Sequence, residues 1–416
     1  MKTELATRYK GTPEGEAAES IIQKCVHCGL CNATCPTYQL LGDELDGPRG
    51  RIYLMKQLLE GHDVTASTQL HLDRCLTCRA CETTCPSGVE YGRLIDIGRK
   101  LVDERNVRPV ASRALRFALK GGLTSRWFTP VLRAAQAVRP LLPKLIRDKI
   151  PLRRAASDRS VVTGPTGRRV LVLDGCVQPA LAPNINPATR RVLAAAGIEA
   201  VSIASAGCCG ALRQHLNDQD GARADMRRNV DAWWPAIHSG AVEAIIINAS
   251  GCSVCVKDYG HLLAQDPAYA AKAARIASLA RDLSELLPEL VLLLKDKIQT
   301  GDARQLAYHS PCTLQHGQKL PLLVETQLAA LGINMQVAAE SHLCCGSAGT
   351  YSVLQPKLAG QLRDRKLGHL AALQPACIIS ANVGCILHLQ SGTTTPVRHW
   401  VEVLDEALRG PAPQEA

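Results

Sequence analysis

The chain has 416 residues, 46% hydrophobic and 21% charged; it can bury a core in two or three domains, and that balance excludes disordered, collagenous and coiled-coil classes. Its 18 Cys are too many for incidental packing and too few for a disulfide-dense miniature scaffold, which points to metal or redox chemistry. The formal charge of +10 permits a nucleic-acid partner, but 4 Trp, 8 Tyr and 2 Phe leave little for base stacking, and nucleic-acid binding is not expected.

The N-terminal stretch MKTELATRYKGTPEGEAAES carries acidic residues and lacks the apolar run of a secretory signal, so the expectation is a cytoplasmic protein whose thiols stay reduced. From residue 25, CVHCGLCNATCP is followed 50 residues later by CLTCRACETTCP. Both fit C-x2-C-x2-C-x3-C-P, in which three close thiolates wrap one iron-sulfur cubane and the fourth ligates the neighbouring cluster. Cys25, Cys28, Cys31 and Cys85 are therefore expected to hold one 4Fe-4S cluster, and Cys75, Cys78, Cys81 and Cys35 a second. Structural zinc is the weaker reading, because zinc sites separate two C-x2-C pairs by a longer loop. His27 reads as an exposed or packing residue, and Pro36 and Pro86 as turn formers that orient the fourth thiolate.

Between the motifs, Ile52, Met55 and Leu59 predict one amphipathic helix with Pro48 near its start and Gly61 past its end. Leu94, Ile97 and Leu101 continue the period. The first domain, residues 1–100, thus reads as helical with Cys-bearing loops. A basic amphipathic linker follows over 101–165: from Arg99 to Arg159 there are 16 Lys or Arg against 4 Asp or Glu. Leu115, Phe117, Leu119, Trp127, Phe128, Leu132, Leu141 and Leu142 lie among these basic residues. Such a segment suits docking on a neighbouring domain or subunit, which is favoured over direct contact with an anionic membrane.

Beyond the linker, short apolar runs (Val170–Leu173, Ala200–Ile203, Ala244–Ile247) alternate with helical stretches (188–196 and 222–237), and the second half repeats them with 305–308, 333–337 and 377–380. This alternation predicts β-α-β units and parallel sheets. Cys176, Cys208, Cys209 and Cys252 recur as Cys312, Cys344, Cys345 and Cys385, so residues 166–300 and 301–416 read as duplicated halves. All these Cys lie just past strand ends, where open α/β sheets bind ligands. The longest aliphatic run, Leu286–Leu294, is interrupted by Pro288 and Glu289 and falls far short of the roughly 20 residues that span a bilayer, so no transmembrane helix is expected.

The two Cys runs, the segment TYQLLGDELDGPRGRIYLMKQLLEG between them, GCCG at Gly207–Gly210 and LCCGSAGT at Leu343–Thr350 closely resemble the iron-sulfur subunits of bacterial glycolate oxidases over nearly the whole chain. That resemblance implies a helical two-cluster ferredoxin domain followed by a duplicated α/β Cys-Cys-Gly domain. It also implies partnership with FAD-binding subunits that oxidise glycolate to glyoxylate, electron delivery to a membrane quinone or other acceptor, and a position on the inner face of the cell membrane. No Gly-rich dinucleotide fingerprint, P-loop or Ser-His-Asp arrangement is found, so neither flavin nor nicotinamide is expected in this chain, and no catalytic residue.

The Cys-Cys-Gly halves also resemble those of heterodisulfide reductase, glycerol-3-phosphate dehydrogenase and lactate-utilisation subunits. In heterodisulfide reductase five thiolates, ending in C-x2-C, hold a non-cubane cluster. Cys176, Cys208, Cys209, Cys252 and Cys255 match that set. The second half has His388 where the fifth Cys is expected, leaving Cys312, Cys344, Cys345 and Cys385, which could bind a cluster or zinc or remain metal-free. A third iron-sulfur centre thus stays open, as do a lactate or glycerol 3-phosphate substrate and a disulfide-reducing role. Cys377 reads as a core residue; His309, His316 and His342 read as surface or supporting residues.

Overall fold

A computed structural model describes residues 1–125, 127–141, 143, 147, 151–154, 167–299 and 304–409. The N-terminal region is helical. Helix Pro13–Gln23 starts with Pro at its first turn, Thr12 accepting from the Gly15 amide, and Glu14 and Glu16 near the positive helix end. It buries Ala18, Ile21 and Ile22 against helices Pro48–Leu59 and Tyr91–Arg105, whose Ile52, Met55, Leu58, Leu94, Ile95 and Leu101 complete one core. Each such aliphatic side chain contributes about 1.5–3 kcal/mol when fully buried. Ile97, expected on the core face, is only partly buried; the face is centred on Ile95 and Gly98 instead. A Cβ at Gly98 would lie 2.4 Å from Met55 Sδ, so the missing side chain is what lets these helices approach.

Two four-stranded parallel sheets follow. The first comprises β1 (Arg168–Val172), β2 (Ile198–Val201), β3 (Ala244–Ile247) and β4 (Ala280–Asp282) in the order β2-β1-β3-β4. The second comprises β5 (Leu306–His309), β6 (Met335–Val337), β7 (Cys377–Ser380) and β8 (Val397–His399) in the order β6-β5-β7-β8. β1, β3, β5 and β7 lie inside their sheets, which accounts for their nearly unbroken apolar character. In each sheet the order reverses between the first and third strands, creating the crevice at the carboxyl ends where ligands bind. Cys176 and Cys252 flank it in one half, Cys312 and Cys385 in the other.

The halves share one core. Val170, Val172 and Ile246 of the first sheet, Ala307 and Ile379 of the second, and Trp400 at the start of helix Trp400–Arg409 belong to a single buried cluster, and Arg191 bridges to Asp405 at 2.7 Å. The first half's other face carries its own cluster around Leu171, Met226, Trp233 and Tyr259. The second half's other face is small, and Cys312, Cys344, Tyr351 and Leu362 are buried there together with Leu76 of the N-terminal region.

Helix Tyr91–Arg105 runs on into the stretch read as linker and buries Leu101 and Val102 there, whereas the linker helices Val110–Leu123 and Phe128–Val138 bury no residue. Arg108 and Arg116 bind Asp73, while Phe117 and Trp127 are 72% and 62% exposed. Leu142 lies outside the described residues.

Candidate iron-sulfur and metal centres

Both N-terminal motifs turn through left-handed backbone. His27 (φ 61°) and Gly29 (φ 85°) of the first correspond to Thr77 (φ 51°) and Arg79 (φ 60°) of the second. These residues reverse the chain within each C-x2-C-x2-C loop so that successive thiols face inward. Pro36 opens helix Pro36–Leu41 with Cys35 as its preceding cap residue, and Cys85 ends helix Ala80–Thr84 in extended backbone. The fourth Cys of each run is thereby turned from its own loop toward the other.

One cavity is lined by Cys25, Cys28, Cys31 and Cys85 together with Cys81, and another by Cys35, Cys75, Cys78 and Cys81. Burial, together with Cys25, Cys85 and Cys28, pushes the Cys31 thiol up to about 11. Burial and then Cys78, Cys75 and Cys35 raise Cys81. Three thiols of one run thus face the fourth of the other in both cavities, and thiols that resist ionising beside one another favour a cation that neutralises them. The chemistry of this donor set fits iron-sulfur clusters. The His27 ring lies near Tyr53, with centroids 6.4 Å apart.

The cavities differ in surroundings. In the first run Cys28 is exposed, with Val26 and Leu30 at 70% and 55%. Their counterparts Leu76 and Ala80 are 4% and 1% exposed, because the second Cys-Cys-Gly half covers them. There Tyr351 donates to the Arg74 carbonyl at 3.1 Å, and Thr83 Oγ1 meets His316 Nδ1 at 2.7 Å. Arg51, 1% exposed, sits beside the second cavity with Nη1 3.9 Å from Cys35 Sγ, and pairs with Asp46 at 3.3 Å. Asp46 also pairs with Arg74 and has His71 Nδ1 3.2 Å from its Oδ1, while Asp43, of the same group of possible metal donors, accepts from the Leu45 amide.

In the first α/β half, Cys255 Sγ donates to the Cys209 carbonyl at 3.1 Å, and Cys176, Cys208, Cys209 and Cys252 lie close enough to shift one another's ionisation. Interaction with Cys208, followed by burial, raises Cys176 well above the ordinary thiol value. Gly210 at φ 93° turns its amide back onto Cys208 Sγ at 3.5 Å. All five thiols expected from sequence meet in one place.

The second half repeats the turn, with Gly346 donating to Cys344 Sγ at 3.4 Å and Cys312 Sγ 3.8 Å from Cys344 Sγ. Its histidines behave differently from one another. His388, at the position of the expected fifth Cys, donates to the Ala359 carbonyl at 3.1 Å. His342 is exposed. His309 is 2% exposed and ends β5, with its donor atom, Cys345 Sγ and Cys385 Sγ all within 4.8 Å of one another. The sequence reading put His309 at the surface or in a supporting position; the structure buries it beside two thiols, and a polar residue at the end of an apolar strand, aligned with Leu173 by the 136-residue offset of the halves, was a usable signal. Cys377 is a core residue of β7, 3% exposed.

Comparison with known proteins agrees with this division of the chain. Residues 21–89 match the 4Fe-4S dicluster domain family, and residues 170–257 and 306–390 each match the cysteine-rich domain family. The chain is 24% identical to lactate utilization protein A of Shouchella clausii across 55% of its own length and 95% of that protein. It is 29% identical to the probable glycolate oxidase iron-sulfur subunit of Bacillus subtilis across 90% of its own length and 89% of the relative. With the glycolate oxidase iron-sulfur subunit of Escherichia coli, identity is 50% over 98% of this chain and 99% of that protein. Alignment at that level from end to end, over both cavities and both Cys-Cys-Gly halves, means that the chain belongs to the family of glycolate oxidase iron-sulfur subunits.

Proposed function

We propose that this chain carries electrons from FAD-binding partner subunits, which oxidise glycolate to glyoxylate, toward a quinone or other acceptor at the cell membrane. Oxidation of the alcohol to the aldehyde releases two electrons and two protons, and the chain's part is to conduct the electrons one at a time. Cys25, Cys28, Cys31 and Cys85 would hold one 4Fe-4S cluster and Cys75, Cys78, Cys81 and Cys35 the other; bound clusters supply reversible one-electron redox chemistry. The carrying observation is the crossed grouping of these eight thiols around two adjoining cavities. Arg51 offsets thiolate charge at the second cavity. The five thiols from Cys176 to Cys255 are the residues for a third iron-sulfur centre. Among the described residues none is arranged for hydride chemistry, and on this reading the isolated chain would be inactive on glycolate. No described helix is long and apolar enough to cross a membrane, and the exposed basic linker suits a peripheral position facing the cytoplasm.

Replacing Cys28 or Cys78 by Ser in the purified complex tests the relay. Glycolate should still reduce the flavin in a single turnover while steady-state reduction of the acceptor is lost. Acceptor turnover at the native rate would overturn the relay. A complex that oxidises lactate or glycerol 3-phosphate but not glycolate would overturn the substrate. Iron content of about eight per chain marks two cubanes, and about twelve adds the third centre.

A further inference from the structure

We propose that the second Cys-Cys-Gly half binds a single soft divalent ion of the zinc class through His309, Cys345 and Cys385, with a fourth donor from the adjoining Cys312–Cys344 pair. The site is independent of which substrate the complex oxidises and of the electron relay.

Spacing is the first argument. A tetrahedral ion with bonds of about 2.3 Å to sulfur holds its donors about 3.8 Å apart. His309, Cys345 and Cys385 present donors within 4.8 Å of one another, and Cys312 and Cys344 are 3.8 Å apart. Among the described residues, no three of the eight N-terminal thiols converge so tightly; they stand around open cavities, as a multi-iron cluster requires.

His309 is the second argument. It is 2% exposed, and neither ring nitrogen has a hydrogen-bond partner. An unsatisfied buried polar group costs about 1–3 kcal/mol, whereas a neutral imidazole bound to a metal through one nitrogen meets no such deficit at that atom. The ring is aimed at two thiols rather than at a carbonyl or carboxylate.

Charge balance is the third. Lys366 is 3% exposed, donates to the Glu340 carbonyl at 2.5 Å and interacts electrostatically with Cys345, Cys344 and Cys312. A divalent ion with three thiolates and one imidazole carries one net negative charge, which a buried ammonium offsets.

Comparison of the halves locates the change. The first half has Leu173 at the strand end and Cys255 on the helix; the second has His309 and His388 at the matching positions. The donor lost from the helix is replaced by one from the strand, and His388 turns away to Ala359.

The test is metal analysis of the full chain in its complex, purified anaerobically, with X-ray absorption at the zinc edge. About one zinc per chain is expected, with a first shell of one nitrogen and three sulfurs. His309→Ala should lower zinc at least about tenfold, since loss of even a supporting partner weakens metal sites about 10–100-fold, and should leave iron unchanged. His309→Cys should retain zinc with an all-sulfur shell, which separates ligation from a packing role if His309→Ala folds poorly. His388→Ala should keep both metals. Absence of zinc from the native complex, zinc retained with an unchanged shell in both His309 variants, or loss of iron in place of zinc would overturn the proposal.

Discussion

The two Cys-Cys-Gly halves share strand order, parallel register and the placing of three Cys-bearing loops at the carboxyl ends of their sheets, yet they close their outer faces with different material. The first half covers its face with its own helices around Trp233 and Tyr259. The second leaves a smaller apolar face that is completed by Leu76 and Cys78 of the N-terminal region. The first meets that region through polar contacts instead: Arg79 pairs with Asp258 at 3.1 Å, and Asn217 donates to Asp103 at 2.6 Å. Duplication supplied two equivalent crevices, and unequal packing placed only one of them against the second N-terminal Cys cavity.

This contrast is broken most severely through the shared core. Trp400→Ala should lower unfolding free energy by about 3–5 kcal/mol, and hydrogen exchange should show amides of both sheets losing protection together. Trp233→Ala carries a similar cost but should expose the first half alone. Protection lost only from the second sheet in Trp400→Ala would mean that the halves are separate folding units. A step smaller, Leu362→Ala at the apolar seam should cost about 2–4 kcal/mol and raise exchange at the amides of residues 76–80. The smallest effect belongs to the polar seam: Arg79→Ala should cost about 0.2–1 kcal/mol, with the difference shrinking in high salt, as denaturant titrations at two ionic strengths would show.

Much of this architecture could be read from residue order. The eight N-terminal Cys announce their grouping through fixed spacing, and β1, β3, β5 and β7 announce themselves because strands buried on both faces need continuous apolar residues. β4 and β8 gave no such signal: Ala-Arg-Asp and Val-Arg-His are three-residue strands at sheet edges, where a charged residue can face solvent. The core face of helix Tyr91–Arg105 was displaced from Ile97 because a glycine, invisible to an apolar count, forms the closest approach. His309 was illegible for another reason. Its neighbours in sequence suggest a strand end, and its partners Cys345 and Cys385 come near only when three loops of the sheet meet.

The unequal exposure of the N-terminal motifs also gives the protein a front and a back. Val26, Cys28 and Leu30 form an open apolar rim, whereas the equivalent Leu76 and Ala80 are buried and Cys78 is half-buried beneath another part of the same chain. Electron exchange weakens steeply as intervening protein thickens, so an external redox partner has a short approach on one side and a long one on the other. On the proposed relay, the open loop is the side on which other molecules would exchange electrons, and the covered loop is the side that faces the rest of the chain.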